Sequence, residues 1–302
     1  MAIYSIGEVI RRERIRQHIT QEDLSSGICS TSWLSKIESG SVTPQPQTFE
    51  LLIKRLGKNV SQYIQFRGEI EIDIENLKFE IRRAKALKDN EKARSLYQTL
   101  VPSADDKNIL NQQFLLLYDV LLLKGASKDY RQKCDQLYKA LEMTIPNFQP
   151  AKLHDLLLSQ DEIIILNNLA INHYRLDEKE TAKSILKELA QYLEKPNFDY
   201  EEKRRAYPIV CYNLSKWAGL DGDTLESIRL SNKVIDFCII HSELNCLPEA
   251  LFNKGYALAH LGSIESAKES FMQSHYLFKT LRREDEAQRV IHEMTQTWNI
   301  PI

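Results

Sequence analysis

Apolar residues recur along almost the whole chain at intervals of three and four and almost nowhere at intervals of two, the periodicity of helices that bury one face. The helix breakers agree. Only 10 Gly and 9 Pro occur in 302 residues. Those at Pro44 and Pro46, Gly57, Pro102, Pro146 and Pro150, Pro196, Gly219 and Gly222, and Gly262 fall between periodic runs and read as helix-to-helix connections. An all-α fold follows. The length exceeds one minimal domain and suits a small unit plus a larger one. Hydrophobic residues at 43% and charged residues at 27% are ordinary globular values, which excludes a disordered or fibrous chain.

The net charge of −2 is unevenly spread: residues 1–66 carry eight Lys/Arg against six Asp/Glu, and the remainder 32 against 36. Arg11, Arg12, Arg14 and Arg16 crowd one segment, and a local cluster of this kind is what phosphate contact requires. The five cysteines, Cys29, Cys134, Cys211, Cys238 and Cys246, are odd in number, dispersed and without a C-x-x-C pair, a pattern suited to a reducing cytoplasm. The longest apolar run, Phe114 to Leu123, is interrupted by Asp119, and the N-terminus lacks a secretion signal, so neither membrane insertion nor export is expected.

Residues 5 to 64 carry the densest signal. A basic amphipathic helix from about Ser5 to His18 has Ile6, Val9, Ile10 and Ile15 on its buried side. Thr20-Gln21-Glu22-Asp23 has capping-box form and starts a second helix containing Leu24, which Gly27-Ile28-Cys29 ends. Ser30 begins a third helix, closed by Gly40, and Pro44 and Pro46 precede a fourth with Phe49, Leu52, Ile53 and Leu56 inward. Two short helices joined by a tight turn and flanked by packing helices is the helix-turn-helix plan, in which the third helix enters the major groove. Thr31, Ser32 and Lys36 are then the base-edge candidates. Trp33 either touches a thymine methyl or sugar or packs between helices. Arg11 and Arg12 either meet phosphates or form a solvated stripe.

Ile6-Gly7, Ile10-Arg11, Arg14, Thr20-Gln21, Leu24, Ile28, Ser35, Ile37-Glu38, Gly40, Pro44 and Leu56-Gly57 resemble the Xre/Cro-type helix-turn-helix family at its characteristic spacing. The resemblance implies that Gln21 contacts phosphate and base, and that Arg14 and Glu38 pair inside the headpiece as structural residues. It extends to the peptide-responsive quorum-sensing regulators grouped as Rap, Rgg, NprR, PlcR and PrgX, in which such a headpiece precedes tetratricopeptide-like repeats.

The rest of the chain carries a weak internal repeat. Between Leu251 and Phe278, Gly255 and Ala267 are small where two antiparallel helices approach, a turn falls at Gly262, and Phe271 fills the space one turn on. This resembles the tetratricopeptide hairpin of about 34 residues. Equivalent small positions at Ala93, Cys134, Ala182, Ser227 and Ala267 lie 41, 48, 45 and 40 residues apart, so helices or loops are longer than the consensus. Arg283 to Trp298 would cap the stack. The expected organisation is a helix-turn-helix domain over 1–66 and a superhelix over 67–302 of about five hairpins plus a capping helix.

Such a superhelix offers its first helices to an extended ligand. Asn168, Asn213 and Asn253 stand at the same place in three repeats, two residues before Ala170, Ser215 and Gly255. Each amide offers two donors and an acceptor, so the row can clamp a peptide backbone, or it can merely cap and solvate helices. Tyr174, Arg175, Tyr212 and Tyr256 stand beside it to meet side chains and a carboxylate. The family resemblance adds Lys78, Arg82 and Lys85 in the first repeat as peptide contacts, and implies a homodimer on a palindromic operator in double-stranded DNA.

Catalytic chemistry finds no foothold. No phosphate-binding glycine loop, H-E-x-x-H or G-x-S-x-G occurs, the seven histidines are dispersed, no metal spacing is present and no cofactor is implied. The expected function is a cytoplasmic, peptide-controlled transcription regulator. The alternative is a repressor whose helical C-terminal part only dimerises or binds another protein.

Overall fold

The computed structural model describes residues 6–42, 44–58, 69–104, 108–122, 129–195 and 200–302. The expected helix start at Ser5, the boundary at residues 66/67 and the connection at Pro196 lie outside them. No strand occurs among the described residues. A headpiece comprises α1 (Ile6–Arg16), α2 (Gln21–Ser25), α3 (Thr31–Glu38) and α4 (Pro46–Arg55). Among the described residues five antiparallel hairpins follow: α5 (Glu69–Ala86) with α6 (Asn90–Leu100), α7 (Ile109–Leu122) with α8 (Tyr130–Glu142), α9 (Gln160–Arg175) with α10 (Lys179–Leu193), α11 (Tyr200–Leu220) with α12 (Thr224–Ile240), and α13 (Leu247–His260) with α14 (Ile264–Thr280). Helix α15 (Glu284–His292) closes the last hairpin and runs into a π-helical turn, Glu293–Thr297. The chain divides into two compact units, Met1–Asp199 and Tyr200–Ile302, so the headpiece shares a unit with the first three hairpins.

The headpiece folds around Ile10, Leu24, Leu34, Ile37, Phe49, Leu52, Ile53 and Leu56. Gly7 lets α1 cross α3 closely: a Cβ there would stand 1.7 Å from the Ile37 carbonyl oxygen. Ile15, expected on the buried side, is 52% exposed. The inward position one turn after Ile10 belongs to Arg14, and Ile15, five residues on, has rotated off that face. Thr20 caps α2 by accepting from the Asp23 N–H at 3.0 Å, but its hydroxyl also donates to the Asp23 carboxylate at 2.6 Å, so the reciprocal half of the expected box gives way to a side-chain bond. The two-way box forms instead at Ser159 and Glu162, where α9 begins.

The repeats are in the register that the small residues mark. Ala93, Cys134, Ala182, Ser227 and Ala267 are all buried near the start of the second helix of their hairpins. Between first and second helix the chain reverses through one residue of left-handed φ, at Lys88, Asp177, Gly222 and Gly262. Gly219, expected in a connection, lies inside α11.

Candidate nucleic-acid interface and ligand face

Helix α3 buries Leu34, Ile37 and Glu38 and turns Thr31, Ser32, Trp33, Ser35 and Lys36 outward. The Ser30 hydroxyl accepts the Trp33 N–H at 3.2 Å, which fixes where α3 starts and hence which residues stand in its first turn. Trp33 is 41% exposed and is not among the residues of the headpiece core. Arg11 and Arg12 are exposed on α1.

Behind this face a polar clamp fixes the helices. Arg14 donates to Glu38 through Nε (2.6 Å) and Nη2 (2.8 Å), and through Nη1 to the Ile19 carbonyl at 2.9 Å. The hydrogen bond to Glu38 pushes the Arg14 guanidinium above its ordinary pKa, against a smaller pull from burial. This two-pronged geometry is the strong form of the charge-assisted bond and ties α1 to α3. Gln21 donates from Nε2 to the same carboxylate at 2.8 Å, sharing Glu38 Oε2 with Arg14 Nη2. The Gln21 amide, expected on DNA, is therefore oriented by the clamp before any DNA arrives.

The headpiece meets the repeats through buried charge. Lys54 on α4 is 3.1 Å from Glu50 and 3.9 Å from Asp161 at the start of α9. Arg82 on α5 grips both Asp161 oxygens at 2.9 Å, and the fully buried Lys78 donates to Glu75 at 2.7 Å and to Asn111 at 2.5 Å. Three cations and three carboxylates thus balance in a dry setting. Burial pushes the Glu75 and Asp161 carboxyls up, but the cations outweigh it and hold both well below the usual carboxylate range. Next to Lys54, Arg55 donates to the Ser26 carbonyl in the helix-turn-helix turn, and burial lowers its pKa against the opposing field of Glu162.

Three residues expected as ligand contacts are engaged within the chain. Lys78 and Arg82 hold helices to one another, and Lys85 donates to Asn90 at 3.0 Å and to the last-turn carbonyl of Leu121 at 3.3 Å, capping α7. Lys78 and Arg82 take buried acceptors, whereas the half-buried Lys85 reaches an exposed side chain and a helix-end carbonyl. The asparagines differ among themselves. Asn168 is half-buried and donates to the Ile164 carbonyl of its own helix at 2.8 Å, with the half-buried Tyr174 and the exposed Arg175 further along α9. In the second unit Asn213 is buried, and Asn253 donates to Ser215 Oγ at 2.8 Å and to the Tyr212 carbonyl at 3.4 Å. Burial, reinforced by Glu249, pushes the Tyr212 phenol up to about 12, and burial first and then Glu293 raise that of Tyr256.

Sequence reasoning missed a linked set on α8 to α10. The Tyr138 hydroxyl lies 2.9 Å from His173 Nε2, His173 Nδ1 lies 2.5 Å from Glu178, and Glu178 pairs with Arg131. Each imidazole nitrogen faces an oxygen that can accept, and the tyrosine hydroxyl can also donate. Among the described residues no His/Cys/Asp/Glu group can hold a metal ion, and no helix is long and apolar enough to cross a membrane.

Comparison with known proteins agrees with this architecture. A helix-turn-helix family profile matches residues 10–62. No curated protein matches the sequence. Among solved structures, Bacillus thuringiensis PlcR in complex with the peptide PapR7 and DNA is 18% identical and superposes with a TM-score of 0.62 over 95% of this chain and 99% of that one. The apo form of the competence regulator ComR from Streptococcus vestibularis is 16% identical, with a TM-score of 0.54 over 98% of each chain. ComR from S. thermophilus with DNA and its signalling peptide ComS is 13% identical, with a TM-score of 0.52 over 97% of this chain and 99% of that one. The chain therefore carries a helix-turn-helix domain followed by helical repeats, and over nearly its whole length it has the fold of PlcR and ComR.

Proposed function

We propose that this protein is a sequence-specific transcription regulator that binds double-stranded DNA through α3 and is controlled by a short signalling peptide held by its repeats. The observation that carries the reading is the outward face of α3. Thr31, Ser32, Trp33 and Lys36 stand exposed on a helix whose other side is locked by a buried core and by the Arg14–Glu38 clamp. That is the preorganised polar front a groove-reading helix needs. Thr31, Ser32 and Lys36 read base edges, Trp33 meets a thymine methyl or sugar, and Gln21, Arg11 and Arg12 fix register on the phosphates.

Asn168, with Tyr174 and Arg175, offers peptide contacts on a first helix of the first unit, and Asn213 and Asn253, with Tyr212 and Tyr256, offer the same kind of contacts in the second. PlcR and ComR, whose fold this chain shares, have been captured with both DNA and peptide. The protein acts in the cytoplasm as a homodimer on a palindromic operator, with 1–66 as the DNA-binding domain and 67–302 as the sensor. A second reading keeps the DNA contact but leaves the repeats to dimerisation or another protein. It is favoured by the amides of Asn168 and Asn253, which are already engaged inside the chain.

Selecting duplexes from a random pool with the full chain tests the DNA reading. A palindromic consensus is expected. Thr31→Ala with Ser32→Ala is expected to erase selectivity, about 1 to 3 kcal/mol for each base no longer read, while folding stays intact. An unchanged consensus would take α3 out of the groove. Peptides enriched from a random heptapeptide library on the full chain test the sensor. Asn168→Ala and Asn213→Ala should each weaken binding by about 1 to 3 kcal/mol, and equal calorimetric affinities would remove the asparagine row.

A further inference from the structure

On α13, Asn253, Tyr256 and His260 follow one another at helical spacing along one face. At the end of that face Trp298 lies against Tyr256 and the exposed His260. Its ring meets Tyr256 edge-on, with centroids 5.5 Å apart and planes at 87°, and meets His260 at 4.6 Å and 75°; Tyr256 and His260 touch each other at 4.8 Å. The segment bringing the indole there is irregular. It leaves α15 through the π-helical turn Glu293–Thr297 and reverses at Asn299, whose φ is +53°. Buried Met294 and Ile300 anchor it on either side, and the Ile300 N–H closes the loop on the Met294 carbonyl at 3.0 Å.

Two features set Trp298 apart from a plain capping residue. Met294 and Ile300, buried in the terminal core with Ala287, Val290 and Phe271, hold the segment on either side of it, while Trp298 is only half-buried and packs against that core from its edge. And its indole N–H is buried with no acceptor in reach, whereas a tryptophan that only seals an end normally turns that polar edge to water or to a partner. A side chain with good ring contacts and an unmet donor, just past a π-turn, fits an occupant that can leave better than a fixed part of the core.

We infer that Trp298 is an internal occupant of the ligand face: in the unliganded chain its indole fills the place on Tyr256 and His260 that an aliphatic or aromatic side chain of the bound peptide takes. This rests on the peptide-sensing reading above. Displacement frees the indole N–H for water or for a peptide carbonyl. The apparent affinity of the peptide is then reduced by the fraction of molecules in which the tryptophan is seated.

The test uses the full chain with 5-fluorotryptophan at its three tryptophans, assigned by single Trp→Phe substitutions. Without peptide, the Trp298 fluorine resonance is expected to be doubled or exchange-broadened while that of buried Trp217 stays narrow. One narrow, temperature-independent Trp298 resonance overturns the proposal. Heptapeptides enriched on the parent chain are then titrated. They are expected to move the Trp298 resonance to a solvent-exposed position, to carry an apolar side chain in common, and to bind Trp298→Ala about fivefold to tenfold more tightly than the parent. Should Trp298→Ala not fold, Trp298→Leu keeps an apolar anchor without the ring contacts and is expected to shift affinity in the same direction. Equal or weaker binding by the folded variant, or a Trp298 resonance unmoved at saturation, sinks the internal occupant and leaves peptide sensing standing. If no heptapeptide binds parent or variant, peptide sensing itself fails and the occupant with it.

Discussion

Helix α4 meets the repeats through charge, whereas α13 and α14 meet through shape. In the first contact Lys54 faces Asp161, which Arg82 grips, with Glu50, Glu75 and Lys78 around them. In the second, Gly255 lies so close to Phe271 that a Cβ there would stand 2.9 to 3.1 Å from three ring atoms. Burying ions is expensive and returns little net stability, so a balanced charge joint holds firmly only while every member is present. A shape-held contact loses in proportion to the volume disturbed. The two contacts should fail differently.

The largest effect is expected from Asp161→Asn, which leaves Arg82 and Lys54 buried without their shared carboxylate. Breaking one partner out of such a set costs about 3 to 5 kcal/mol. Chemical denaturation of the full chain, followed by hydrogen exchange at α4 and α9, would show whether the loss is local to that joint. A cost below about 1 kcal/mol would mean that water or a rearranged partner makes good the charge, and that the joint is softer than its geometry implies.

Acid separates the two contacts without mutation. Asp161 and Glu75 both have pKa values lowered in the folded chain, burial notwithstanding, by the cations that face them. A carboxyl of this kind contributes stability that is fully present above its unfolded value, near 4, and is lost as pH falls through the folded value. Amide protection at α4 and at the start of α9 should therefore decline as pH drops below about 4. Protection around Gly255 and Phe271, which face each other without an ionisable group, should persist further. Simultaneous loss at both places would erase the distinction.

Gly255→Ala comes next. The new methyl group must push an aromatic ring that is itself fully buried, so overpacking of about 1 to 3 kcal/mol is expected. Pairing it with Phe271→Leu should recover part of the loss if the ring contact is the cause. No recovery would place the strain in the backbone of α13.

What the sequence made legible follows the same division. Shape-held features have local signatures: the small residues at Ala93, Cys134, Ala182, Ser227 and Ala267 marked the hairpins, and the headpiece helices were readable from their caps and apolar spacing. The Arg14–Glu38 clamp was readable through family resemblance. The charge joint was not, because Lys54, Arg82 and Asp161 come from three distant helices and each looks like an ordinary surface charge in its own segment. For that reason Lys78 and Arg82 read as ligand contacts when the fold uses them inside. Trp298 was placed in a cap, and nothing local indicated that its ring would lie across Tyr256 and His260.

The smallest effect tests the comparison within neighbouring hairpins. Where α13–α14 has Gly255, Ala267 and Phe271, α11–α12 has Ser215, Ser227 and Ser231. Ser227 donates to the Ser215 carbonyl at 2.9 Å and Ser215 accepts from Asn253, but the Ser231 hydroxyl is fully buried with no partner. Deleting an unsatisfied buried hydroxyl removes its desolvation cost together with a little volume, so Ser231→Ala should change stability by less than about 1 kcal/mol and in the stabilising direction. Ser227→Ala, which removes that second hydrogen bond from a carbonyl already paired in the helix ladder of α11, should cost about 1 kcal/mol. If Ser231→Ala instead destabilised as much as Ser227→Ala, Ser231 would have an acceptor in solution. The polar hairpin would then be as completely bonded as its neighbour is packed.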